Sequence, residues 1–474
     1  VDIQKILLQE VALEEINNLI TILYIMKKLF LAMVIFTAYF SNAQTLSYND
    51  IGELFSKEAI NGTARFNAMS GAFGALGGDM SAIDVNPAGA VVFSKSEVAI
   101  SLYNKTIKTN ANFYGLNQNS ENEFLDLSQA GGVMIFTTND NSGWGKFALG
   151  FNYAVTNDFN NSWTAKGNSG YAPITDFYDP DVVYLNSDGH YFENYTDGKN
   201  EKYTFTFASE YNNNLMLGFS LSTYNIDHYQ RVLTEEYNND GNQNTFDVSQ
   251  NQELLTYGDG ISFNLGIISK PNDNVRLGLA FQSPIWYSLA EEFLEYDAII
   301  FENNTNITDQ FSIDDTYSGT NGFDYRLKTP SKLTGSVAYI FNKSGLISLD
   351  YIYKNYSNIK LSNGNFTAEN QGFKNDLENA TELRLGTEWR VDAFSFRGGY
   401  HYEKNPYKNA YQSDDIEGFS LGAGFKFRGG RVDFSYLNST NTAPYNFYPN
   451  NNQVNNAELD IDTSRFTATL VLNI

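Results

Sequence analysis

From Ser96 to the C-terminus, apolar and polar side chains alternate with a period of two. That is the period of a β-strand with two unlike faces, because successive side chains leave the backbone on opposite sides. Between Lys146 and Thr156, Phe147, Leu149, Phe151, Tyr153 and Val155 share one face, and Ala148, Gly150, Asn152 and Ala154 the other. The same beat recurs in Leu215, Leu217, Phe219 and Leu221, in Val275, Leu277, Leu279 and Phe281, and in Phe419, Leu421, Ala423, Phe425 and Phe427. Between Thr381 and Arg390, Leu383, Leu385 and Trp389 oppose Glu382, Arg384, Glu388 and Arg390. The final strand sets Phe466, Ala468, Leu470, Leu472 and Ile474 on one side.

Alternation alone fits a soluble sandwich as well as a membrane barrel. The links decide between them. Residues 139–145, 211–214, 270–273, 342–345, 391–392 and 428–431 are short links. Residues 107–130, 157–202, 226–259, 285–322, 357–380, 404–415 and 439–463 are long ones, and the two kinds alternate strictly. Antiparallel membrane barrels show this asymmetry, with tight periplasmic turns and long outer loops. The fold predicted is an all-β transmembrane antiparallel barrel of about 14 strands, an even number as in bacterial outer-membrane barrels. That count takes residues 323–341 as one strand with a local break at Pro330, because Phe323, Tyr325, Leu327, Leu333, Val337, Tyr339 and Phe341 keep odd parity across it. A wall facing lipid closes on itself, since no water satisfies its backbone there. Glu382, Arg384, Arg397, Glu403, Lys426 and Asp433 then point into the lumen, where isolated charge is costly and pairing is expected.

Ahead of the strands lies a compact, nearly uncharged stretch, residues 62–89, with Arg65, Asp79 and Asp84 its only ionised side chains. Gly71, Gly74, Gly77 and Gly78 permit close backbone packing or positive φ. Phe66, Met69, Phe73, Leu76 and Met80 between them need burial. Asn86-Pro87-Ala88-Gly89 follows as a turn signal. An apolar plug suits this pattern better than a separate domain. Further upstream, Met26-Lys27-Lys28, an apolar run from Leu29 to Phe40 and Ser41-Asn42-Ala43 read as a secretory signal peptide. The division expected is an upstream extension over residues 1–25 that is absent from the mature protein, a signal peptide over 26–43, a plug over 44–94 and a barrel over 95–474.

Composition refines this picture. Aromatic residues make up 15%, with 32 Tyr and 36 Phe, as two aromatic girdles require. The net charge of -24 argues against nucleic acid as a partner, since phosphate binding needs a basic surface. With Cys 0, neither disulfides nor thiolate metal sites exist. His190, His228 and His401 sit in two loops and at a strand end without metal-ligand spacing. The glycine-rich GAFGALGG lacks the ending of a phosphate loop. Residues 236–247 offer Glu236, Asn238, Asp240 and Asp247 in loose calcium-loop order around Gly241, but read better as an Asn-rich solvated loop. No Ser stands in a GxSxG context, so nothing marks an enzyme, a metal or a cofactor. In WYSLAEEFLEY, Trp286, Tyr287, Leu289 and Phe293 fall near one face of a short predicted helix, either a rim cap or a greasy landing groove.

The small-residue stretch, with ALGG, an Asp-containing turn and Asn86-Pro87-Ala88 in order, resembles the hatch of the FadL/TodX family of outer-membrane proteins. Ser283-Pro284, Thr329-Pro330 and the strand ladder support the likeness. The resemblance implies a 14-stranded monomeric barrel in the outer membrane with the hatch inside. It implies passive uptake of hydrophobic small molecules such as long-chain fatty acids: capture by loops, an inner pocket, and sideways exit through the wall. The hatch motif Asn86, Pro87 and Ala88 carries over residue by residue. Phe66, Met69, Phe73, Leu76, Met80, Trp286, Tyr287, Leu289 and Phe293 are the candidate ligand contacts. A barrel of this shape that binds exported proteins through its loops, as a shuttle or scaffold, is the alternative; a lipid-active barrel enzyme is a third.

Overall fold

The structure, a computed structural model, describes residues 48–138, 143–173, 184–242, 244–302, 305–306, 321–342, 344–448, 451 and 453–474. The signal peptide and upstream extension expected over residues 1–43 lie outside these. Fourteen antiparallel strands close into one barrel. They are β1 (Glu97–Phe113), β2 (Leu116–Thr137), β3 (Trp144–Asp158, resumed at Asn161–Gly167), β4 (Asn186–Tyr211), β5 (Leu215–Asn239), β6 (Thr245–Ser269) and β7 (Val275–Gln282, resumed at Trp286–Glu302). Then come β8 (Asn321–Lys328, resumed at Lys332–Phe341), β9 (Gly345–Asn355, resumed at Lys360–Ser362), β10 (Asn379–Val391), β11 (Phe394–Glu403), β12 (Ile416–Phe427), β13 (Gly430–Tyr445) and β14 (Ala457–Asn473). Each pairs with its sequence neighbour, and β1 pairs with β14 from Glu97↔Asn473 to Asn112↔Glu458, which removes any free edge.

The outer surface explains the alternation. Phe205, Phe207, Leu217, Phe219, Leu221, Leu265, Ile267, Leu277, Leu279, Val337, Leu349, Leu385, Leu421, Phe434 and Leu470 are all exposed on it. An apolar belt running round the barrel far exceeds what a soluble monomer shows to water, and it fits hydrocarbon. No helix among the described residues is long and apolar enough to cross a membrane; the strands do the crossing.

Several long links are in fact strand. β4 has 26 residues, and β5 and β6 have 25 each, where about 9–11 tilted residues suffice to cross a bilayer. These strands continue well past the apolar belt as a paired extension. Their outward side chains there are polar, such as Asn225, Asp227 and Glu235, which erased the apolar beat. Residues 107–130 likewise form a hairpin, closed at Tyr114 and Gly115 with φ of 47° and 81°, the positive pair that a tight hairpin turn demands. His190 and His228 therefore lie in strands rather than loops, both buried. The Glu236 to Asp247 region is the tip of the β5–β6 hairpin: Glu236 is buried and accepts from Tyr448 OH, and Asp240 caps Asn242 and Asn244.

The predicted helix over WYSLAEEFLEY is also strand. Its backbone pairs on one side with β6, Ile261↔Trp286 to Phe246↔Glu302, and on the other with β8, Trp286↔Lys328 to Phe293↔Asn321. Two ladders outweigh a helical spacing that short apolar runs mimic. The constant parity across Pro330 is overturned as well. Below the break Leu333, Val337, Tyr339 and Phe341 face outward; above it Tyr325 and Leu327 are fully buried and Arg326 and Lys328 are exposed. β7 reverses at Ser283-Pro284 at the same height, where Ile285 N donates to Thr329 Oγ1 at 2.8 Å and Thr329 N to Ile285 O at 3.1 Å. β9 reverses at the 3-10 turn Tyr356–Asn358. Proline interrupts the ladder, and each interruption adds residues that shift the strand by an odd count.

The buried histidines give the extension a pH dependence. Burial pushes His190 and His228 down to about 4, below the unfolded value of about 6.5. The unfolded state then binds more protons between these values, so stability is full above about pH 6.5 and falls as pH drops toward 4. Hydrogen exchange across residues 186–239 should accelerate over that window, and should not when both histidines are replaced by Gln.

Candidate functional site

Three features meet in the lumen: a packed plug, a greasy chamber above it that is filled by packed side chains, and a break in the wall beside both. The plug comprises α1 (Tyr48–Leu54), α2 (Ala64–Asn67), α3 (Ala82–Val85) and a 3-10 turn over Pro87–Val92. Thr63 caps α2 by accepting from Phe66 N at 3.1 Å and donates to Asp79 Oδ1 at 2.7 Å. Asp79 also accepts from Ser81 N at 3.0 Å, so one buried carboxylate organises both ends of the small-residue stretch. Wall side chains hold the outside of the plug. Ala64 N donates to Thr469 Oγ1 at 2.7 Å, Ser70 N to Ser420 Oγ at 3.0 Å and Gly74 N to Asp350 Oδ2 at 2.8 Å.

The Asn86-Pro87-Ala88 triplet lies against the wall. Asn86 accepts from Ala88 N at 3.1 Å and donates to Gly74 O at 2.7 Å and to Ile267 O of β6 at 3.1 Å. Pro87 sits in the first turn of the 3-10 helix, where its missing N–H costs nothing. Gly218 of β5 and Gly266 of β6 leave the room: a Cβ on Gly218 would stand 2.2 Å from Ala88 N, and one on Gly266 2.0 Å from Asn86 Oδ1. The motif is thus a backbone-to-wall contact, and its partners are glycines that no local pattern ties to it.

Phe66, Met69, Phe73 and Leu76 pack into one core with Ala338 and Leu346 of the wall. Met80 joins a second with Ile83, Ala88, Val133 and Met216. Tyr287 and Leu289 line the chamber with Phe293 at its edge, whereas Trp286 points to the lipid side, 43% exposed. The nine candidate contacts therefore fall into two plug cores, one chamber wall and one outer surface. Period two beyond Pro284, in place of a helical face, separates Trp286 from its neighbours.

The chamber is lined by Tyr224 and Ile226 of β5, Leu254 of β6, Ile285 in the break of β7, Tyr287 and Leu289 of β7, and Tyr325 and Leu327 of β8. Phe366 and Phe373, on and beside α4 (Thr367–Asp376), close it from the loop side. Ile51 and Phe55 from the plug fill it. Below Phe55, Glu58 accepts from Gln282 Nε2 at 2.9 Å and pairs closely with Lys332. Lys354 and Arg384 hold Glu382 at 2.8 and 2.6 Å. Lower still, Glu388 binds Arg65 and Arg397, each at 2.7 Å, and Arg397 binds Asp433 at 2.7 Å. Lys426, also expected inside, faces the same interior with Arg397 and Asp433 but at its short-turn mouth, where it is exposed.

The wall break lies between β2 and β3. Their ladder runs from Thr137↔Lys146 to Gln129↔Ala154 and stops. Val155 O then accepts from Asn61 Nδ2 and Thr156 O from Ala59 N, both at 2.8 Å. Across the break Ser128 Oγ donates to Gly62 O at 2.9 Å. Residues 59–62 of the plug thus sit where strand should meet strand. Between Asp158 and Asn161 β3 is interrupted, which turns Phe159 inward onto Phe55 and His228, with ring centroids 5.9 and 5.0 Å away. A sideways exit is implied by the family resemblance, but its place is not legible in the sequence, because nothing local in β3 says which of its carbonyls β2 will leave open.

A closed transmembrane β-barrel with a filled lumen and a wall break is the architecture of an outer-membrane channel protein. The comparisons give its family. Residues 53–465 match the family described as outer membrane protein transport protein (OMPP1/FadL/TodX), and the chain belongs to it. Solved structures agree in fold. A Pseudomonas aeruginosa FadL homologue is 16% identical, with a TM-score of 0.58 over 88% of this chain and 99% of its own. The CymD monoaromatic hydrocarbon channel is 13% identical with a TM-score of 0.52, again over 88% and 99%. The Pseudomonas putida toluene transporter TodX is 12% identical, with a TM-score of 0.50 over the same shares. No curated protein sequence matches the chain.

Proposed function

We propose that this protein is a passive channel for hydrophobic small molecules, long-chain fatty acids first among them, with sideways release through the β2–β3 gap. One observation carries the reading: a single run of plug residues fills the chamber with Phe55, clamps Glu58 to Lys332 and seals the gap with Ala59 and Asn61. A ligand entering the chamber competes with Phe55 for apolar contact. Its transfer from water drives entry, since burial of apolar surface needs no energy coupling. A carboxylate on that ligand finds Lys332 and competes with Glu58. Either displacement pulls on residues 59–62, which are the gap's cover. The hydrocarbon cargoes named for CymD and TodX fit the same apolar route.

Retained lipid and oleate binding test this. Phe55→Ala removes a ring that competes for the chamber and leaves a cavity an acyl chain can fill. Mass spectrometry of the purified variant should show several-fold more bound fatty acid than wild type, and Leu289→Glu, which places a charge in the chamber wall, should show almost none. If neither substitution changes occupancy, the chamber is not the ligand site.

A further inference from the structure

We propose that the outer surface carries a docking site for the phosphate of an outer-leaflet lipid headgroup, built from Arg326, Lys328 and Lys360. This rests on the barrel's place in the membrane and not on any cargo. The three cations face outward and are exposed. Lys328 pairs in register with Lys360, and Arg326 lies two residues along the same face, opposite Ser288 and Ser362. Directly opposed like charges on neighbouring strands destabilise a sheet. Among the described residues no carboxylate stands within ion-pair distance of any of the three, although Asp259 and Asp324 share the surface. On a chain of net charge -24, three clustered free cations ask for an anion.

Their height says which anion. Phe281 and Leu333 pair in register at the top of the apolar belt, and Tyr353 pairs with Leu333 beside them. The next outward level, past the two proline breaks, is Trp286, Lys328 and Lys360. Trp286 lies against Phe263, ring centroids 6.3 Å apart and 29° between planes, as an aromatic anchor at the membrane interface. The cations thus stand where acyl chains end and headgroups begin, on the long-loop and therefore external side. A concavity of about 520 Å³, lined by Trp286, Ser288, Arg326, Lys328 and Lys360 together with Asp259, opens at that level. Lysine and arginine at this depth attract lipid phosphates, and an arginine fork adds bidentate hydrogen bonds.

The test is native mass spectrometry of the full chain in neutral detergent, titrated separately with diphosphoryl lipid A, its dephosphorylated form and inorganic phosphate. Wild type should hold the diphosphoryl lipid at least about tenfold more tightly than the dephosphorylated one, and Lys328→Gln with Lys360→Gln should lose about tenfold, as two headgroup-level lysines imply. Without lipid, that double variant should unfold at the same temperature as wild type or higher, because a repulsion has been removed. Equal binding of both lipids, no effect of the substitutions, inorganic phosphate bound as tightly as lipid, or a lowered unfolding temperature would each overturn the site.

Discussion

Glu388→Ala should destabilise the folded barrel by about 3–5 kcal/mol, the range for removing one member of a buried ion cluster. Its carboxylate is 1% exposed and holds Arg65 and Arg397 at 2.7 Å and Arg390 at 2.5 Å. Without it, Arg397 still has Asp433 at 2.7 Å, but Arg65 is left with Gly78 O at 3.0 Å, Asp79 at 4.0 Å and the Phe73 ring, 5.1 Å from its guanidinium carbon. The loss then falls on the joint between plug and wall. Glu388→Gln keeps the shape and one acceptor, so a smaller loss is expected. Heat-dependent mobility on gels reads both. A Glu388→Ala protein that unfolds at the wild-type temperature would show that the cluster is not what anchors the plug.

The second large effect concerns transport. Ala59→Pro removes the N–H bound to Thr156 O, and Asn61→Ala removes the donor to Val155 O. Each hydrogen bond contributes about 0.5–1.5 kcal/mol net. Losing both, about 1–3 kcal/mol, shifts the balance between covered and uncovered gap by about 5- to 150-fold, since 1.4 kcal/mol is a factor of ten. Uptake of labelled oleate in cells carrying the double variant should rise several-fold, and in Asn61→Ala alone by less. Unchanged uptake in both would exclude the β2–β3 gap as the way out.

The sequence showed the wall more clearly than its contents. Fourteen strands were legible because lipid on one side and a filled lumen on the other impose strict alternation, as in Phe419 to Phe427. Above the membrane the outward face of β4 to β6 meets water and turns polar, as at Asn225, Asp227 and Glu235, so the beat fades and strand reads as loop. Glu382, Arg384, Arg397 and Asp433 were placed inside correctly, because a charge opposite an apolar stripe has nowhere else to go. That Arg65 reaches Glu388 depends on closure of the whole barrel, which local spacing does not encode. The same holds for Gly218 and Gly266, whose purpose shows only when Ala88 and Asn86 lie against them. Tyr325 and Leu327 were assigned to the lipid side because their odd numbers match Leu333; the break at Pro330 reversed them.

That reversal at Pro284, Pro330 and the turn after Asn355 divides each of three neighbouring strands into two storeys with separate tenants. In the lower storey odd-numbered residues of β8 answer to the bilayer; in the upper one they furnish the chamber. Substitutions at Tyr287, Leu289, Tyr325 and Leu327 can therefore reshape the upper interior without disturbing a single lipid contact. The membrane-facing surface and the upper interior of this barrel are free to drift apart.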